Sequence, residues 1–421
     1  MDTIMKAVHL MDNKQTEEAL QLLDNHLLVT DDDKKYTIAE LYLQWGLNEK
    51  AQSILQDLLH RYPEENDIKI MLADIYIGLE DDQSAINLLS EIDANDPSYL
   101  QALLQMADLY EAQGLFEVAE LKLLEAKQIN PNEPIIDFAL GEFLFSIGEY
   151  NRATTYYEKI LPEIKELSNV QIPARLAEAH AAQGNYEIAL EYFNTFETSD
   201  PDILFKYGLT AYYAKRKDIA INVWNRVIEL DEYYHTVYYE LAKAYRDEGR
   251  IEEAFTTIKK GLEMDEFNKE LYYYAGVLAN QLNKFTDSVD YIRQAIVLDS
   301  DYKDAVLFLI ELFKTEEEHT KIIELITDIK NEGAIDPLYE WEIARAFVEN
   351  EAYDQALEHY HQAYNNLKQD TDFLKEYGYF LVEEGEVEQA VTVFNNYLTK
   401  EPTDDETREY VERLVQSKDD K

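Results

Sequence analysis

Apolar residues recur at three- and four-residue spacing almost throughout the chain, with polar residues filling the opposite face. That period predicts amphipathic helices and little else. Only 13 Gly and 9 Pro occur in 421 residues, too few for a protein of sheets and turns. Within the helical pattern a small residue, followed by apolar residues four and seven later, returns at a nearly fixed interval. It stands at Ala19, Ala51, Ala85, Ala119, Ala153, Ala189, Ala220, Ala254, Ser288, Ile322, Ala356 and Ala390, with steps of 31 to 36 residues and mostly 34. Twelve residues before each anchor runs a second series: Ala7, Ala39, Ala73, Ala107, Gly141, Ala177, Gly208, Ala242, Gly276, Ile310, Ala344 and Gly378. Small side chains where two helices cross let the backbones approach, and a helix pair of this size must stack on neighbours to bury its apolar face. Gly46, Gly114, Gly148, Gly184, Gly249 and Gly385 fall between the two series, where a left-handed residue ends the first helix. Pro63, Pro97, Pro131, Pro201 and Pro402 stand about twelve after an anchor, where the second helix stops.

Segments such as MLADIYIGLEDDQSAINLLSEIDANDP and YYELAKAYRDEGRIEEAFTTIKKGLEMD carry the pattern in full. The chain resembles the tetratricopeptide repeats, in a bacterial type, over about twelve units and nearly its whole length. The resemblance implies an all-α solenoid, a right-handed superhelix of helix pairs, and a C-terminal capping helix. Twelve pairs, one further helix and no strand are expected. Repeat 10, with Ile310 and Ile322 at both small positions, is expected to hold its helices further apart. Thr403 and Glu406 form a capping-box signature for the last helix, followed by a frayed tail. Repeat 1 begins almost at Met1, and no separate cap or effector domain is expected before it. The organisation reads as an N-terminal arm over 1–165, a C-terminal arm over 166–402, and a capping helix with tail over 403–421. The long interval around 162–172 is the candidate bend; an inserted loop within one continuous array is the equal alternative.

Charge narrows the partners. Lys plus Arg is 38 against 86 Asp plus Glu, a net −48. Such an excess repels phosphate backbones and anionic lipid, so neither nucleic acid nor membrane insertion is expected. Acidity is uneven: residues 1–150 hold 30 acidic and 9 basic residues, whereas 201–250 hold 8 of each. With no cysteine, disulfides, thiolate metal sites and thiol catalysis are excluded, and a cytoplasmic location is expected. No two of the eight histidines are spaced four apart, so no HExxH-type site exists; His359 and His361 lie on different helix faces. Phosphate-binding and nucleophile-elbow glycine motifs are absent. Lys215-Arg216-Lys217 reads as a solvated turn, with docking of an acidic partner as the second reading. No catalytic, cofactor-binding or metal site is expected, and no cofactor.

The resemblance implies that the first helix of each pair lines a groove, with positions 15, 11 and 8 before the anchor facing it. The middle position gives Glu40, Asp74, Asp108, Glu142 and Glu178 in repeats 2 to 6, an unbroken acidic ladder. The flanking positions carry Tyr36, Phe138, Phe145, Phe205, Tyr212, Tyr239, Tyr273 and Trp341. Lys243, Arg246 and Arg345 give the later repeats a different character, suited to an acidic or mixed segment. Five stacked carboxylates would attract a basic segment gripped by aromatic rings. The competing reading is ordinary solvation of a very acidic chain. Related co-chaperones clamp a terminal carboxylate with Lys and Asn; here those positions hold Tyr36, Glu40, Ile70 and Asp74, so that clamp is not expected. The function read from the sequence is a non-catalytic scaffold or adaptor for protein or peptide partners. A peptide-sensing regulatory subunit is the first alternative, and an enzyme with an unrecognised carboxylate site the second.

Overall fold

A computed structural model describes residues 2–419. Among these are 25 helices: twelve antiparallel pairs, each of a first (A) and second (B) helix, and one last helix. Two compact units emerge, Met1–Glu197 and Thr198–Lys421.

The pairs of the first unit are α1 (Thr3–Asp12) with α2 (Thr16–Leu27), α3 (Asp32–Gln44) with α4 (Asn48–Arg61), and α5 (Asn66–Gly78) with α6 (Asp82–Ser90). They continue as α7 (Tyr99–Ala112) with α8 (Phe116–Ile129), α9 (Pro134–Ser146) with α10 (Tyr150–Ile160), and α11 (Ile172–Ala182) with α12 (Tyr186–Phe193). The second unit holds α13 (Pro201–Tyr213) with α14 (Lys217–Leu230), α15 (His235–Asp247) with α16 (Ile251–Met264), and α17 (Lys269–Gln281) with α18 (Phe285–Leu298). Then come α19 (Lys303–Thr315) with α20 (His319–Asn331), α21 (Pro337–Glu349) with α22 (Tyr353–Tyr364), α23 (Thr371–Glu383) with α24 (Val387–Lys400), and α25 (Asp405–Asp419).

Every residue of the two small-residue series is buried. Where the B helix offers a bulky side chain four residues after the anchor, glycine can stand opposite: Gly141 under Tyr157, Gly378 under Phe394. In repeat 9, buried Ser288 donates its hydroxyl to the Gly276 carbonyl at 2.8 Å, which satisfies a polar group at the crossing. In repeat 10, Ile310 and Ile322 are both buried, and the α19 and α20 backbones run close over a shorter length than in any other described pair. The wider spacing follows from side-chain size.

All twelve turns within pairs close by the same bond, from the amide just after the left-handed residue to the carbonyl five residues back, as in Leu47 N–H to Tyr42 O at 2.8 Å. Glycine supplies the left-handed residue in six of them. In the other six it is Lys14, Glu80, Lys215, Asn283, Glu317 or Glu351, with φ of 56° to 62°. Of these only Asn283 is a residue type that favours the conformation.

Three expectations are corrected. The strand-free prediction fails at a two-residue hairpin, β1 (Glu166–Leu167) and β2 (Val170–Gln171), closed by Ser168 and Asn169 at positive φ. The 162–172 stretch contains this hairpin and lies within the first compact unit, which ends at Glu197. The last helix is capped by Asp404, not Thr403: Asp404 accepts from the Thr407 amide at 3.0 Å and its hydroxyl at 2.8 Å. The same carboxylate takes Lys375 and Tyr397, and these bonds hold it well below the usual carboxylate range. The expected frayed tail is helical through Asp419; Asp420 and Lys421 lie outside the described residues.

Candidate functional site

In the first unit the acidic row occupies equivalent places on five consecutive A helices, α3, α5, α7, α9 and α11. Its members differ in what they meet. Position 11 before the anchor in one repeat faces position 14 before the anchor in the next, and the identity of that second residue decides the outcome. Asp74 accepts from Gln105 Nε2 at 2.5 Å. Glu142 receives Arg175 through Nε at 2.9 Å and a second guanidinium nitrogen at 3.0 Å, and also the Tyr157 hydroxyl at 2.5 Å. Arg175 also reaches Glu178 at 3.4 Å. For Glu40 and Asp108 the facing residues are Met71 and Ala139, which have nothing to donate, and no described residue pairs with either carboxylate. Asp74 and Asp108 both have raised pKa values. Both side chains are exposed at the surface, but the flanking helices crowd each enough to disfavour its charged form, and Glu111 adds a like charge beside Asp108.

The aromatic positions are less available than their spacing implies. Phe138 is 8 % exposed and belongs to the core, because its ring turns inward against the neighbouring helices. Phe145 is half-buried, edge-on to Tyr150 at 5.3 Å and covered by the Arg175 guanidinium at 5.1 Å. Tyr36 stays at the surface of a small cavity of about 360 Å³ shared with Tyr62, Asp33 and Asp67. Burial first, then the Glu40, Asp67 and Glu65 carboxylates, push its hydroxyl pKa up.

In the second unit, Phe205 packs on Tyr234 at 5.1 Å, and Tyr273 lies between Tyr302 and Phe308. The Tyr212 hydroxyl donates to Asp247 at 2.6 Å. Lys243 bonds Glu240 at 2.9 Å and sits over the rings of Tyr212 and Tyr239, while exposed Arg246 lies over Tyr274. Trp341 is 7 % exposed and thus another core ring, stacked under Arg345 at 3.9 Å. Arg345 is fully engaged. Its Nε bonds both Glu376 oxygens, at 2.9 and 3.0 Å, and another nitrogen reaches Glu342 at 3.1 Å. Glu376 also accepts from Trp341 Nε1 and the Tyr360 hydroxyl. Arg345 therefore cannot offer a bare charge to an acidic segment.

Beside this network opens a cavity of about 610 Å³, between α19 and α20 on one side and α21 to α23 on the other. Arg175, Gln105, Glu342 and Glu376 were missed by the sequence reading. The signal that would have found three of them is complementary chemistry 31 to 33 residues apart, between one repeat and the next. Among the described residues no group of three or more His, Asp or Glu is placed to hold a metal ion, and no helix is long and apolar enough to cross a membrane.

Stacked helix pairs of about 34 residues, small at both crossings, define a tetratricopeptide-repeat solenoid, a class that serves generally as protein-interaction scaffolding. Residues 337–404 match the family described as YpiA-like, C-terminal tetratricopeptide repeats, and residues 111–163 its companion, YpiA-like, tetratricopeptide repeats. The TPR repeat-containing protein YpiA of Bacillus subtilis is 37% identical over 413 residues, covering 98% of both chains. The chain belongs to this YpiA-like family of tetratricopeptide-repeat proteins. More distantly, the TPR repeat-containing protein MJ1428 of Methanocaldococcus jannaschii is 22% identical, over 87% of this chain and 70% of that one. Among solved structures, YrrB, described as a TPR protein with an unusual peptide-binding site, superposes with a TM-score of 0.38 at 19% identity, over 44% of this chain and 95% of its own.

Proposed function

We propose that the chain is a non-catalytic cytoplasmic scaffold whose first unit takes a basic partner segment along its A-helix face. The observation that carries this reading is the carboxylate row. Among the described residues Glu40 and Asp108 have no partner and Asp74 has only a neutral amide, and crowding by the flanking helices raises the Asp74 and Asp108 carboxyls. A row of carboxylates held apart from counter-charges gains from any cation laid along it, and a polycationic segment supplies several at once. Solvation of an acidic surface would account for single exposed carboxylates, but not for an unbroken row at one register position on five consecutive A helices.

The test is a dye-labelled Lys-rich peptide titrated against the full chain and against an E40Q/D74N/D108N variant. Glu142 is left intact, because its amide would strand Arg175. Each exposed pair contributes about 0.2–1 kcal/mol, so the variant should bind about tenfold more weakly at low salt. That difference should shrink in high salt. Equal affinity at both salt concentrations would reduce the row to surface solvation.

A further inference from the structure

The cavity of about 610 Å³ in repeats 10 to 12 is walled on one side by charged groups and on the other by Ile322, Val348 and Phe380. Repeat 10, whose two helices run close over a short length, contributes Lys314, His319 and Ile322 to its lining. Its inner charges are mutually satisfied. Arg345 is taken by Glu376 and Glu342, and Lys314 by Glu342 at 2.5 Å and Glu311 at 2.8 Å. No lysine or arginine of the lining is left for an anion.

The remaining charge belongs to Glu349 and Glu383. Each is the last residue of its A helix, α21 and α23, seven before the anchors Ala356 and Ala390, so the two stand in register one repeat apart. Both are exposed, and no described residue pairs with either. A helix C-terminus carries the negative end of the dipole and favours a cation, so two carboxylates there work against the fold. The smaller cavity of the first unit shows the contrast: its Asp32, Asp33 and Asp67 sit in the first turns of α3 and α5, where the dipole itself explains them. Two unpaired carboxylates, two negative helix ends and an apolar wall, arranged around a cavity, specify a cation with an apolar neighbour.

We infer that this cavity receives one basic side chain, arginine or lysine, together with an adjoining apolar residue of an extended partner segment. The inference rests on the scaffold reading above and gives the second unit its own specificity. The guanidinium or ammonium group bridges Glu349 and Glu383 at the mouth, and the apolar side chain lies on Ile322, Val348 and Phe380. The cavity volume exceeds a single side chain, which is why two residues are assigned to it.

The probe is a dye-labelled Gly-Ser-Arg-Leu-Ser-Gly peptide, followed by fluorescence anisotropy with the full chain at low salt. Replacing its arginine by the uncharged isostere citrulline should weaken binding at least about tenfold, and so should the E349Q/E383Q variant of the protein. That variant should melt at the wild-type temperature or above it, since it removes anions from helix C-termini; a lower melting temperature would assign the carboxylates a structural role and overturn the inference. Equal binding of the arginine and citrulline peptides, wild-type binding by E349Q/E383Q, or no binding up to about 1 mM would each overturn it too. If binding is lost only in E40Q/D74N/D108N, the cavity inference falls and the scaffold reading stands. If it is lost only in E349Q/E383Q while the Lys-rich peptide ignores the acidic row, the first-unit reading falls and the cavity stands.

Discussion

Glycine does two different jobs in this chain, and alanine substitution separates them. A Cβ on Gly378 would come 2.6 Å from the Phe394 ring, which is fully buried and has nowhere to move. A Cβ on Gly114 would meet nothing within 4 Å, but that residue's φ is +72°. Gly378→Ala should therefore cost about 1–3 kcal/mol through overpacking, and Gly114→Ala about 1 kcal/mol through backbone strain alone. Urea unfolding of both variants checks the pair. The strain argument also runs in reverse. Glu80 holds a φ of +61° at the same turn of repeat 3, so Glu80→Gly should raise stability by about 0.5–1 kcal/mol. A fall in the urea midpoint would mean that the Glu80 side chain has a packing role. At this scale the sequence was legible only where a rule has one answer. A glycine at the turn position announced the left-handed residue, whereas Lys14, Glu80, Lys215, Asn283, Glu317 and Glu351 adopt it because the closing hydrogen bond and the packed pair impose it. Asp404 was missed for a similar reason: two neighbouring residues can both cap, and the contacts with Lys375 and Tyr397 choose between them.

Among elements, the α19–α20 pair stands apart. Its two isoleucines fill the gap they create, but the backbones touch over less of their length. Amide hydrogen exchange should be faster over residues 305–330 than over repeats 3 and 4, and equal protection would show that the isoleucine packing compensates. The α21–α23 contact is tied instead by charge. Burial alone would raise the Glu376 carboxyl, but Arg345, Trp341 and Tyr360 outweigh it and hold it below the ordinary carboxylate range. A carboxylate depressed in the folded state stabilises fully above its unfolded value of about 4.3, and the benefit fades as pH falls through the folded value. Glu376→Gln should therefore cost about 1.5–3 kcal/mol near neutral pH, with the deficit shrinking below about pH 4. Thermal melts across that range decide it; a pH-independent deficit would mean that shape, not charge, is lost. The elements themselves were readable, because one 34-residue period is sampled twelve times and a stray substitution cannot hide it. The side chains of the site were not, since facing positions were inferred one repeat at a time while the bonds run between repeats.

For the whole molecule, the compact units meet their boundary after Glu197, and the segment joining α12 to α13 is mostly exposed. Limited proteolysis should cut first between Thr195 and Asp200 and leave two resistant fragments; a first cut inside the 166–171 hairpin would place the weak point where the sequence alone suggested it. The charge pairs that cross from one repeat to the next have a broader consequence. Tandem repeats look like interchangeable links that a genome can add or drop at will. Here each link carries an address. A second copy of repeat 5 spliced in behind the first would set Glu142 against Ala139 and leave it without a counter-charge, and excising repeat 12 would take Glu376 from Arg345. The order of repeats is written into the chain, so lengthening or shortening it one period at a time should fail at particular junctions and pass at others.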